Sequence, residues 1–154
     1  MPELLRAESN LQNVVHQSEL LVPVIPSHAL RQVAESAADA LRPGTHICCA
    51  TKAFDDQSLS NMHELLVEIF GAPNHTSVIY GPSFALEVAR HLPTAVVVAG
   101  PDSTAHVSAE AFHGGHFRCY TTEDVVGVCV GGSLKNVMAI ACGVSDGVGL
   151  GNNA

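Results

Sequence analysis

Two apolar periods alternate along these 154 residues, and no other feature restricts the fold as tightly. Short runs rich in β-branched residues occupy 21–25, 46–50, 76–80 and 94–99, with a weaker one at 117–121. Continuous apolar runs of this length suit strands buried on both faces, as in a parallel sheet. Between them lie helical stripes. Residues 28–41 align Leu30, Val33, Ala34, Ala37 and Leu41 and stop at Arg42-Pro43-Gly44. Residues 58–70 align Met62, Leu65, Leu66 and Ile69 and stop at Gly71-Ala72-Pro73. Helices are also predicted over 83–92 and 103–112. Such alternation with short punctuated turns predicts α/β architecture with right-handed crossovers.

The pattern changes at Thr121-Thr122-Glu123-Asp124, where a Thr three residues before an acid precedes a long apolar run. That is a helix-start signature. The spacing predicts one helix from Val125 to about Val144, apolar nearly all round and rich in small residues. Helices of that kind are buried as a rule, yet no later helix follows in these residues to bury this one. After it the sequence Asp146-Gly147-Val148-Gly149-Leu150-Gly151-Asn152-Asn153-Ala154 reads as cut rather than finished.

Composition excludes several classes. Hydrophobic residues make up 47% and charged residues 14%, which excludes a disordered chain. Seven basic residues against fifteen acids give a net charge of -8, with no basic stripe, so nucleic-acid binding through phosphate contacts is not expected. No uninterrupted apolar run reaches the roughly 18 residues of a membrane span; Lys135 and Asn136 interrupt the longest. Five cysteines without a C-x-x-C pair, and no basic leader followed by an apolar core, point to reduced thiols and a cytoplasmic protein. His113-Gly114-Gly115-His116 has no further ligands at metal-site spacing, so no metal is expected.

Only two lysines occur, and both stand at chemically suggestive places. Ala50-Thr51-Lys52 ends a strand, at the edge where open α/β sheets bind ligands; the plain alternative is a solvated loop lysine. Ile25-Pro26-Ser27 ends another strand at the same edge, or is only a turn before a helix. Gly81-Pro82-Ser83-Phe84-Ala85 follows a strand and opens a helix, with Ser83 at the N-cap, an arrangement that leaves amides free for an anion. Most such turns bind nothing. In Gly131-Gly132-Ser133-Leu134-Lys135-Asn136 the two glycines share a helix face with Lys135. Glycine within a helix is disfavoured by roughly 1 kcal/mol, so the pair implies that something approaches the backbone. A partly desolvated Lys135 would suit proton transfer near neutrality; the alternative is a lysine snorkelling from a packed helix.

Together, Ile25-Pro26-Ser27, Ala50-Thr51-Lys52, Gly81-Pro82-Ser83-Phe84-Ala85 with Glu87, and Gly131 to Val137 followed by Ser145-Asp146-Gly147 resemble, in order and spacing, the NAD(P)-dependent glycerol-3-phosphate dehydrogenases, the bacterial type above all. The resemblance runs from about Ala7 onward. It implies reversible hydride transfer between NAD or NADP and dihydroxyacetone phosphate, giving sn-glycerol 3-phosphate for phospholipid synthesis. Carried over by position, Lys135 matches the catalytic lysine and Lys52 a lysine that touches both substrate and cofactor. Gly81, Ser83 and Asn136 match substrate-binding positions, and Pro26, Ser27 and Ala85 cofactor-binding positions. The resemblance also implies small-molecule substrates and a homodimeric full-length form.

Departures from the family pattern are equally specific. The G-x-G-x-x-G unit that opens family members is missing, as are the Arg-Asn pair and further acid of the later helical domain. Ala53 stands where glycine is usual, and Cys129 where a polar residue is common. The expected fold is therefore an incomplete Rossmann-type sheet, doubly wound and mainly parallel, lacking its first strands and followed by the first helix of an all-α domain. The division falls at 1–122 and 123–154. The strand at 21–25 would then be an exposed apolar edge, and the chain alone is expected to be inactive. Two alternatives stand beside this reading: a truncated, non-catalytic chain acting through a partner or oligomer, and another dehydrogenase of the same two-domain superfamily.

Overall fold

A computed structural model describes residues 4–72 and 75–151. The elements follow the alternation of periods: α1 (Leu11–Gln17), β1 (Leu20–Leu21), α2 (Ser27–Ala37), β2 (His46–Cys49), α3 (Met62–Phe70), β3 (Thr76–Tyr80), α4 (Ala85–Ala89), β4 (Thr94–Ala99), α5 (Asp102–Phe112), β5 (Phe117–Thr122) and α6 (Val125–Val148). A 3₁₀ turn over Ala38–Ala40 extends α2 toward the predicted stop.

The five strands form one sheet in the order β1-β2-β3-β4-β5. Three of the four pairings are parallel, but β3 and β4 run antiparallel, with Val78 opposite Ala99 and Tyr80 opposite Val97. The sheet is thus mainly parallel, as expected, with its one antiparallel step between β3 and β4. Short α4 occupies the connection without carrying the chain back across the sheet, so β4 enters from the opposite end.

Burial follows from the strand pattern. On one face Ile47, Cys49, Val78 and Tyr80 meet Leu30 and Ala34 of α2, Met62, Leu65 and Leu66 of α3, and Cys129 of α6. On the other, Cys48, Ile79, Val96 and Val98 meet Ala105 and Ala109 of α5. The helices are set by local chemistry. Asn61 and Glu64 form a reciprocal capping box at the start of α3, and Gly71 ends that helix with φ of 63°. Pro73, the third residue of that predicted stop, lies outside the described residues.

Three elements differ from expectation. Strand pairing at the first edge covers only Leu20–Leu21; beyond it, the Pro23 carbonyl accepts from the Ala50 amide, and Ile25 and Thr51 exchange two hydrogen bonds. Proline at 23 has no amide to continue a ladder. Helix α4 spans five residues rather than the predicted ten, and its N-cap is Phe84, not Ser83. Helix α6 runs four residues past the expected end, and Cys129 is its one buried residue among those described. Taken as a helix rather than an uninterrupted run, α6 is long and apolar enough to cross a membrane by length and composition alone, with mean hydropathy 1.7 over its best window.

Candidate active site

The C-terminal ends of β2 and β3, the turn after β3, and the first half of α6 converge on one cavity of about 260 Å³. Lys52, Tyr80, Gly81, Pro82, Gly131, Gly132 and Lys135 contribute to its wall. The two lysines, 83 positions apart in sequence, thus share one site.

Each lysine is placed by a specific contact. Lys52 Nζ donates to the Gly81 carbonyl at 2.7 Å, which links the end of β2 to the turn after β3. Ser83 Oγ donates to that same carbonyl at 3.4 Å. Glycine is required at 81 by close approach, since a Cβ there would sit 2.8 Å from the Ala95 carbonyl oxygen and 2.9 Å from Val96 Cα. Lys135 Nζ lies 4.8 Å from the centre of the Phe84 ring, within cation–π range.

The electrostatics of the cavity act on Lys52. Desolvation is the main cause of its lowered pKa, and the nearby charge of Lys135 adds to it. Both lysines reach the surface, so Lys135 is not enclosed by the notch that its glycines suggest. The glycine pair explains the difference. A Cβ at Gly132 would collide with the Tyr80 ring, so that glycine admits a protein side chain; at Gly131 a Cβ would meet nothing. The approach inferred from two helical glycines is real, but half of it is internal packing.

Tyr80 is the residue that sequence reasoning missed. It is buried, and its hydroxyl donates to the Thr51 carbonyl at 2.7 Å. Burial raises its phenol well above the usual range, so it stays a neutral donor. An aromatic at the end of an apolar strand run carries no signal that separates it from core.

The remaining predicted positions divide. Ser83 and Ala85 line a second cavity of about 490 Å³ on the α5 face of the sheet, walled by Val22, Val24, Ile79 and Val96. Lys52 lines this cavity too, and so stands between the two spaces. Pro26 caps α2 without a side-chain bond and Ser27 begins that helix; neither lines either cavity. Asn136 is exposed on α6 and outside both. Among the described residues no three His, Cys, Asp or Glu side chains converge as a metal site would require.

Comparison with known proteins decides the family. The pattern described as the NAD-dependent glycerol-3-phosphate dehydrogenase N-terminus matches residues 1–106, and that of the C-terminus matches 124–154. The chain belongs to this family. It is 43% identical over 155 aligned residues to the glycerol-3-phosphate dehydrogenase [NAD(P)+] of Xanthomonas campestris pv. campestris strain B100, and 43% identical over 157 to that of Anaeromyxobacter sp. strain K. All of this chain is covered in both, against 46% and 47% of the relatives. The chain therefore spans about half the length of the curated relatives it matches. Among solved structures, the glycerol-3-phosphate dehydrogenase of Coxiella burnetii superposes with a TM-score of 0.85 at 36% identity, covering 99% of this chain and 47% of that one. That of Saccharomyces cerevisiae gives 0.85 at 26%, covering 99% and 46%. A diketoreductase, 13% identical with a TM-score of 0.66 over 94% of this chain and 49% of its own, shares the fold alone.

Proposed function

We propose that this chain contributes the reaction centre of an sn-glycerol-3-phosphate dehydrogenase, in which dihydroxyacetone phosphate is reduced reversibly to the glycerophospholipid precursor sn-glycerol 3-phosphate. The observation that carries it is the meeting of Lys52 and Lys135 in one cavity beside Gly81. Residues 1–122 act as the later part of a dinucleotide-binding domain, and 123–154 as the start of a helical catalytic domain.

The residues present fit one side of a dinucleotide. An apolar cavity with Lys52 and Ser83 on its wall suits a flat ring bearing a polar edge. Ala85, and Pro26 with Ser27 at the same end of the sheet, would border it. When bound, NAD or NADP supplies the hydride in reduction and takes it up in oxidation. Lys135 gives its proton to the carbonyl oxygen of dihydroxyacetone phosphate as that oxygen becomes an alkoxide, and takes the proton back in reverse. Solvent exposure lets Lys135 reload from water. Lys52, tethered to the Gly81 carbonyl, presents a fixed positive charge to the anionic substrate. Ser83, whose hydroxyl donates to the same Gly81 carbonyl as Lys52, and Asn136, next to Lys135 on the rim outside the cavity, would meet the substrate from its edges.

The other parts of the reading follow the same chemistry. Free, buried thiols at Cys48, Cys49 and Cys129 fit a reducing cytoplasm. The exposed apolar side of α6 fits a homodimeric whole protein that acts on small molecules.

Dihydroxyacetone phosphate, titrated into the isotope-labelled chain, is expected to shift the amide signals of Gly81 and Gly131, and Lys135→Ala to weaken that binding. Steady-state oxidation of NADH by the chain alone is not expected, because no G-x-G-x-x-G cradle for the pyrophosphate occurs in these 154 residues. Signals at Gly81 and Gly131 that ignore the substrate would remove the proposal.

A further inference from the structure

The two lysines stand on different elements, and the structure places one side chain between the backbones that carry them. Tyr80 is 3% exposed, at the end of β3. Its hydroxyl donates to the carbonyl of Thr51, the residue before Lys52. Thr51 is held in turn by Ile25, whose carbonyl accepts from Thr51 Oγ1 at 2.7 Å and whose amide donates to it at 3.2 Å. The opposite side of the ring fills the space left at Gly132, three residues before Lys135. Ring carbons Cε2 and Cγ would lie only 3.0 and 3.1 Å from a Cβ at that position.

We propose that Tyr80 is a positioning residue which fixes the separation of Lys52 and Lys135, through a hydrogen bond to one backbone and ring contact with the other. A phenol is suited to this. It is rigid over two torsions, long enough to span from the sheet to the helix, and able to end in a directed donor. Phenylalanine would keep the ring contact and lose the anchor; a smaller apolar residue would keep neither. The glycine at 132 is the complementary half, since any side chain there displaces either the ring or the helix. Helix α6 is otherwise packed on the sheet through Cys129, Val125 and Val128, and Tyr80 meets it at Gly132, three residues before Lys135.

The inference rests on reading both lysines as site residues, but its test does not depend on turnover. Because the chain has two lysines, reductive methylation with ¹³C-formaldehyde gives two side-chain reporters in the intact protein. Tyr80 and the two lysines are the titratable groups lining the cavity, and the Lys52 midpoint answers first to its desolvation and then to the Lys135 charge, both of which weaken if the helix moves outward. Gly132→Ala is expected to drive the helix outward and raise the Lys52 midpoint toward the ordinary lysine value. Adding Tyr80→Leu makes room for the new methyl but supplies neither the ring contact nor the Thr51 anchor, so the midpoint is expected to stay raised even where stability recovers. A purely steric role for Tyr80 would instead bring the midpoint back down once the clash is relieved. A Lys52 midpoint unchanged in Gly132→Ala, or restored in the double variant, overturns the inference. If Gly132→Ala does not fold, Tyr80→Phe decides alone: its Lys52 midpoint rises as the Thr51 anchor is lost, or the inference fails. Substrate titration of the parent chain tests the lysine assignment separately, so failure there and failure of the Tyr80 brace remain distinguishable.

Discussion

At the scale of single residues, charge placement away from the cavity is as constrained as within it. Asp55, buried in the turn after β2, accepts from Arg31 Nη2 at 2.8 Å, from Arg31 Nε at 3.3 Å, and from the Ser58 amide and hydroxyl. The hydrogen bond from Arg31, supported by those from Ser58, holds its carboxyl well below the usual carboxylate range. The stabilisation is therefore complete above the unfolded carboxyl value of about 4 and is lost as pH falls toward the folded one. Denaturant midpoints measured from pH 5 downward should fall, and Asp55→Asn should flatten that dependence. Neither the pairing nor the turn was legible in the sequence. Arg31 and Asp55 are 24 positions apart, and nothing in local spacing joins a helix residue to a loop acid. Lys52 and Lys135 were legible, because a strand-terminal lysine and a glycine-flanked lysine are unusual locally. That Lys52 has a lowered pKa was not, since desolvation depends on neighbours from other elements.

At the scale of elements, the adjacent glycines of α6 have different work. Gly132→Ala places a methyl into the Tyr80 ring and should destabilise the fold by about 1–3 kcal/mol, the usual cost of overpacking. Gly131→Ala meets open space and should stabilise by up to about 1 kcal/mol through helix propensity. Opposite signs in urea unfolding check the assignment; equal signs refute it. Similarly, Asn61→Ala removes half of the α3 capping box and should cost about 1 kcal/mol by the same measurement. Helices with strong caps and stripes, such as α3, lay where periodicity placed them. Short α4 did not, because Gly81-Pro82-Ser83 reads as a helix start while the chain there remains a turn until Phe84. Helix α1, with its Asn10 cap, gave too short a stripe to be recognised.

At the scale of the whole molecule, one surface stands out. Val126, Leu134, Val137, Met138, Ile140, Val144 and Val148 of α6 are all exposed, although they make up most of its large apolar side chains. Contiguous exposed apolar surface promotes association. Sedimentation velocity should show self-association that rises with protein concentration, and Ile140→Lys with Val144→Lys should shift the population toward monomer. A parent chain that stays monomeric at high concentration would contradict this. Composition reports only what a helix would bury. What it packs against is a property of the surrounding structure.

The alternation of strands and helices, the family, and the residue types that bear chemistry were all legible along the chain, because those signals are local or periodic. Tertiary structure decided the antiparallel entry of β4, the shared cavity of two distant lysines, and the role of Tyr80 between them. Strand direction depends on the path of a connection, and lysine proximity on packing between elements. The size of the gap at Gly132 is likewise set by a ring 52 positions away in sequence. None of these has a period, so none could be read along the chain.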